Sequence, residues 1–157
     1  MEPVPTGNSP FMKRFIKLIA VCLGVSCLAG CAATQQFVHF PDQSKVVEDP
    51  GKGRIYVMRP SMFGVEIQMD VSDGENIIGR TGPHGFLCWE REPGETVVSC
   101  TDDNTNTVKV TVEAGKATYI FEHLKPTWTG YGNELKIVSE AEADNVMKHC
   151  KPPKFVK

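Results

Sequence analysis

From Arg54 to Ser139 the chain alternates between short apolar-rich segments and turn residues, at a spacing of about 8–12 residues. A chain cut this often cannot build long helices, so it must bury its apolar side chains by pairing short strands. The cleanest segment is Thr107–Val112, where Val108, Val110 and Val112 alternate with Thr107, Lys109 and Thr111. Successive strand side chains point to opposite faces, which puts the three valines on one buried face. Arg54–Arg59 is rich in β-formers and stops at Pro60. Val65, Ile67, Met69 and Val71 alternate with Glu66, Gln68, Asp70 and Ser72, predicting a half-buried strand that Asp73-Gly74 closes as a hairpin turn. Further strands are expected over Asn76–Arg80, Gly85–Arg91, Thr96–Thr101, Thr118–Leu124 and Glu134–Ser139. Ser139-Glu140-Ala141-Glu142 matches a capping box and opens a short helix to about His149, which Pro152-Pro153 cannot extend. About seven or eight short strands and one C-terminal helix predict a mainly-β fold, an antiparallel β-sandwich over residues 54–150 with a tail at 151–157.

The N-terminal part has a different character. Lys13, Arg14 and Lys17 precede an uncharged apolar run from Leu18 to Leu28. That run is shorter than the roughly 20 residues a bilayer-spanning helix needs, and it matches the apolar region of a secretory signal peptide. It ends in Leu28-Ala29-Gly30-Cys31, which resembles a bacterial lipobox. Small residues beside the cut suit a membrane peptidase, and the cysteine thiol is the nucleophile that takes up diacylglycerol. Residues 1–30 are therefore expected to be a lipoprotein signal peptide, cleaved between Gly30 and Cys31. Cys31 would carry the diacylglycerol on sulfur and an acyl chain on its new amine. Met12 followed by Lys13-Arg14 is a more typical start than Met1. Ala32 rather than Asp follows Cys31, which favours the periplasmic face of an outer membrane. One acyl chain holds a protein only marginally, but two or three hold it effectively permanently.

Cleavage changes the charge account. It removes three of the 17 basic and one of the 19 acidic residues, leaving 127 residues with a net charge of −4. Such a chain would not bind anionic lipid or nucleic acid by charge. Residues 31–53 lack a sustained period and contain Pro41, Pro50, Gly51 and Gly53, so they are expected to form a lipidated tether. Phe37, Val38 and Phe40 are the exceptions, able to pack back onto the domain.

Three cysteines remain beyond Cys31, in a compartment that oxidises thiols. A hairpin centred on Gly94 would set Cys88 opposite Cys100, making this pair the expected disulfide. Pairing of Cys150 with either of them is the alternative. His39, His84, His123 and His149 are widely separated, and no Cys/His pair has zinc-ligand spacing, so no metal is expected. Asp102, Asn104 and Asn106 imitate the start of a calcium loop, but Thr107 stands where the loop needs glycine and a strand follows instead of a helix. No nucleophile elbow, phosphate loop or dinucleotide fingerprint is present, and no catalytic residue is assigned. The segment Lys125–Asn133 sets Trp128 and Tyr131 among Gly, Thr and Pro. Trp128 either lids one end of the core, the commoner role for such a residue, or offers a contact surface.

The stretch from Arg54 to about Lys148 resembles a bacterial family, the domain of unknown function 2846. The features that carry the resemblance are the opening strand Arg54-Ile55-Tyr56-Val57-Met58-Arg59-Pro60, the turn Val71-Ser72-Asp73-Gly74, and Glu92-Pro93-Gly94-Glu95 before a strand. The segment from Val112 through Ala114-Gly115-Lys116 to Ile120 and a last strand running into an acidic helix complete it. The resemblance implies a small secreted or lipid-anchored envelope protein and supplies no catalytic residues; the succession of Asp73-Gly74, Pro93-Gly94-Glu95 and Ala114-Gly115-Lys116 turns is also similar to wider sandwich modules, which bind or space. The reading at this level is a lipid-anchored cell-envelope protein without cofactor beyond the lipid on Cys31. Its sandwich would act as a non-enzymatic interaction or structural module, with membrane lipid and another envelope protein as partners. The alternative is a module binding a glycan or peptide through 125–133.

Overall fold

A computed structural model describes residues 32–102, 104–128 and 130–155. The expected signal peptide, with Gly30 and Cys31, lies outside the described residues. In chain order the elements are β1 (Gln35–Gln36), β2 (Gly53–Arg59), β3 (Met69–Asp73), β4 (Asn76–Thr81), β5 (Gly85–Arg91) and β6 (Gly94–Thr101). They continue with β7 (Thr105–Val112), β8 (Ala117–Thr127), β9 (Gly130–Val138), α1 (Glu140–Met147) and β10 (Lys154–Phe155). A six-stranded sheet runs β10-β1-β4-β3-β6-β7 and a four-stranded sheet β5-β2-β8-β9. The fold is mainly β and sandwich-like. It departs from a purely antiparallel sandwich at two places, because β2 pairs parallel with β8 and β1 parallel with β10.

The inner faces of the two sheets enclose the main core, which includes Ile55, Val57, Val71, Leu87, Trp89, Val98, Val110 and Ile120. The four-stranded sheet is covered on its other face as well. Tyr56, Met58, Phe86, Cys88 and Phe121 pack there against Ala143, Val146 and Met147 of α1 and against Phe40. Burial on both faces explains why β2 reads as a continuous run in which every residue is buried. β7 keeps the expected alternation, with Val110 and Val112 buried and Thr107, Lys109 and Thr111 exposed. Helix α1 starts as expected: the Ser139 side chain accepts from the Glu142 amide, and the Glu142 carboxylate accepts from the Ser139 amide. Gly74, with φ of 58°, makes the turn from β3 to β4.

Three expectations are corrected. The strand expected from Val65 begins only at Met69. The buried Arg59 guanidinium donates to the carbonyls of Phe63 at 2.9 Å, Gly64 at 2.7 Å and Ile67 at 2.6 Å, holding 60–68 as a loop. Side-chain alternation does not reveal a buried cation that competes for the backbone. The Cys88–Cys100 disulfide is absent, and Cys88, Cys100 and Cys150 are free. Gly94 does not close a β5–β6 hairpin. The chain crosses there from one sheet to the other, so β5 pairs with β2 while β6 pairs with β3 and β7. Cys100 consequently lies in the core between the sheets, and Cys88 on the far face of the four-stranded sheet.

The third correction concerns residues 32–53, which do not form a free tether. Gln35 and Gln36 pair with Arg80 and Gly79 of β4. The segment then rounds the edge of β5 and covers the outer face of the four-stranded sheet. There the fully buried Arg54 holds it, donating to the carbonyls of Asp42 at 3.0 Å and Lys45 at 2.8 Å.

Candidate functional site

The sandwich has two ends. β2 and β8 run parallel, with Met58 level with Phe121, so the chain leaving β2 at Arg59 and the outer half of β8 lie at the same end. β8 and β9 remain paired out to Thr127 and Gly130. Lys125–Asn133 is therefore no open loop but the tip of a long hairpin. Trp128 sits on that tip fully exposed, which corrects the expectation that it lids the core. Tyr131, opposite Pro126, instead packs against the core. The two aromatic residues that the sequence puts together thus face different environments. Pro126, Thr127 and Trp128 line a hollow of about 380 Å³. Asn133 anchors the hairpin base, donating to the carbonyls of Cys100 at 3.2 Å and Asn104 at 3.3 Å.

A second concave region, of about 530 Å³, lies between the wrapped N-terminal segment and the edges of β4 and β5, where Asp73, Trp89, Glu90 and Arg91 meet His39 and Lys52. Two of the carboxylates that line it, Asp73 and Glu90, are committed to the fold. Asp73 accepts from Trp89 Nε1 at 2.9 Å, Arg91 Nη1 at 2.5 Å and the Thr96 hydroxyl. Glu90 accepts from the amides of Glu48 at 2.5 Å and Asp49 at 3.0 Å and from Arg54 Nη2 at 2.8 Å. Burial pushes the Glu90 carboxyl up, but these donors outweigh it and hold it below the ordinary carboxylate range. With these donors in place Glu90 is a poor proton acceptor.

The most perturbed acid is sealed inside. Glu122 projects between the sheets from β8, accepts from the Thr81 hydroxyl and lies near Arg59 and Cys100. Burial raises its carboxyl to about 7, against the opposing pull of Thr81 and Arg59. None of its surface reaches solvent. Sequence reading passed over Glu122 because its strand neighbours Ile120 and Leu124 mark an apolar face, where a carboxylate is unexpected. The thiols are similarly muted: burial pushes Cys88 and Cys150 up to about 11, and it also pushes Cys100 well above the ordinary thiol value. His39 faces solvent and pairs with Glu48 at 2.9 Å. His84 and His149 share a small pocket with Pro60, Asn145 and Val146. Among the described residues no group of three His, Cys, Asp or Glu converges as metal ligands would, and no helix is long and apolar enough to cross a membrane.

An uncharacterized protein of Haemophilus influenzae is 26% identical to this chain over 144 residues, covering 88% of this chain and 85% of that protein. No protein-family model matches the chain. No solved structure matches it.

Proposed function

We propose that this is a lipid-anchored cell-envelope protein whose sandwich is a non-enzymatic interaction module, with the β8–β9 hairpin tip as its contact element. The observation that carries the reading is Trp128, wholly exposed at the end of a hairpin whose base is fixed by Asn133. A large aromatic ring left in water has no role in the core, and rigid aromatic anchors dominate binding energy at protein contacts. Two further features support a non-enzymatic role: Asp73 and Glu90 at the larger hollow are spent on structural hydrogen bonds, and the acid shifted to about 7 is enclosed. Anchoring rests on the positive residues, apolar run and lipobox that end at Cys31.

A photo-crosslinking side chain placed at position 128 in intact cells tests the contact. A reproducible crosslinked partner, lost when the label is moved to exposed Ile77, is expected. Absence of any partner would remove the module reading. Cys31→Ser tests the anchor. The variant is expected to be released from membranes, and sedimentation with them after a carbonate wash would show the lipid reading to be wrong. A ring beside the Thr127 hydroxyl in an open hollow also suits stacking on a sugar. That second reading predicts a change in Trp128 emission on adding cell-wall glycan fragments, without a protein crosslink.

A further inference from the structure

We infer that the end of the sandwich bearing Ala32 lies directly on the bilayer and touches it through Met62, Phe63 and Val65. The inference rests on the reading of Cys31 as the lipidated residue. No free tether follows Cys31, because residues 32–36 are already bonded to the domain. The Ala32 amide donates to the Val65 carbonyl at 3.3 Å, and the carbonyl of Ala32 lies against Gly82, so the chain is already docked at its first described residue. Cys31 is one peptide unit earlier, about 3.8 Å between Cα atoms. Acyl chains on Cys31 would therefore leave the protein beside the loop 60–68.

That loop is unusual for a surface connection. Met62 is 53%, Phe63 42% and Val65 39% exposed, in a run whose one charged side chain is Glu66. It is also held in place. Arg59 grips the carbonyls of Phe63, Gly64 and Ile67 from inside, which turns the apolar side chains outward. A fixed apolar cluster at the exit point of a lipid anchor fits the boundary between headgroups and acyl chains, where it leaves water without needing a protein partner. The hairpin tip at Trp128 projects from the same end, so a partner that it contacts would be met at the membrane surface.

The lipoprotein purified from membranes and reconstituted in phosphatidylethanolamine/phosphatidylglycerol vesicles gives the test. In a Trp128→Phe background the remaining native tryptophan is Trp89, which is buried and serves as a constant. Phe63→Trp then reports on the loop, and Ile77→Trp on the opposite end of the sandwich. Met62→Trp substitutes if Phe63→Trp fails to fold. With brominated acyl chains in the vesicles, emission from the loop position is expected to fall and shift to the blue, while that from position 77 does not change. Equal quenching at both positions, in protein whose N-terminal peptide carries diacylglycerol by mass spectrometry, overturns the docking and leaves the anchor intact. A peptide without lipid overturns the anchor, and the docking with it.

Discussion

Gln36 acts as a short piece of strand. Its side-chain Oε1 accepts from the Cys88 amide at 3.1 Å, and its side-chain Nε2 donates to the Cys88 carbonyl at 2.6 Å. β5 is an edge strand of its sheet, so these two backbone groups would otherwise be buried without partners. Gln36→Ala should cost about 3 kcal/mol in urea unfolding, because both groups of Cys88 are left unpaired. A loss below about 0.5 kcal/mol, as at ordinary surface sites, would mean that water replaces the amide. Glu122 supplies a second test at this scale. Its carboxyl titrates at about 7 in the fold against an ordinary value of 4.5, so the folded state holds the proton more tightly. The stabilisation is complete below pH 4.5 and is lost as pH rises through 7, an amount on the order of 3 kcal/mol. Glu122→Gln removes this dependence. The variant should gain on the wild type between pH 5 and pH 8, and an equal difference at both pH values would refute the buried ionisation. Neither residue was legible in the sequence. The glutamine stands in a polar N-terminal stretch, and although Ile120 and Leu124 put position 122 on the buried face, the group that satisfies each side chain lies 52 and 41 positions away.

At the scale of elements, legibility followed locality. The β7 alternation, the Asp73-Gly74 turn and the Ser139 capping box are each specified within a few residues, and each stands where expected. Ser139→Ala should accordingly destabilise by about 1 kcal/mol in urea unfolding. The parallel β2–β8 pairing and the crossing at Gly94 depend on distant partners, and there the sequence rhythm misled. Pro93-Gly94 has the composition of a hairpin turn, yet it joins two sheets. The consequence is chemical: three thiols that spacing alone could pair are free and buried or half-buried. Under non-reducing denaturation Cys88, Cys100 and Cys150 should all take up iodoacetamide, and in the native protein they should react slowly. A bridged peptide joining Cys88 to Cys100 in the digest would contradict the sheet crossing. The hairpin makes the opposite point about tryptophan. Trp128→Ala should leave stability within about 0.5 kcal/mol of wild type, whereas Trp89→Ala, in the core, should cost about 3–5 kcal/mol.

For the whole molecule the decisive feature is how the N-terminal segment closes the sandwich. It enters beside the 60–68 loop, pairs with β4 and β10, passes the edge of β5 through Gln36, and ends under Arg54 on the outer face. Glycines make room for this path by close approach. A Cβ at Gly79 would stand 2.2 Å from the Gln35 carbonyl oxygen, and one at Gly82 would stand 1.9 Å from that of Ala32. Both obstacles are backbone, which cannot rotate away as a side chain could. Gly82→Ala should therefore displace the first residues of the segment while leaving the core side chains untouched. The expected result is a loss of about 1–3 kcal/mol, the range for overpacking, together with earlier proteolytic cleavage between residues 32 and 41 than in the wild type. Mass spectrometry of the released peptide locates the cut. If stability and cleavage are both unchanged, the segment does not lie in the glycine-lined groove and is a free tether after all.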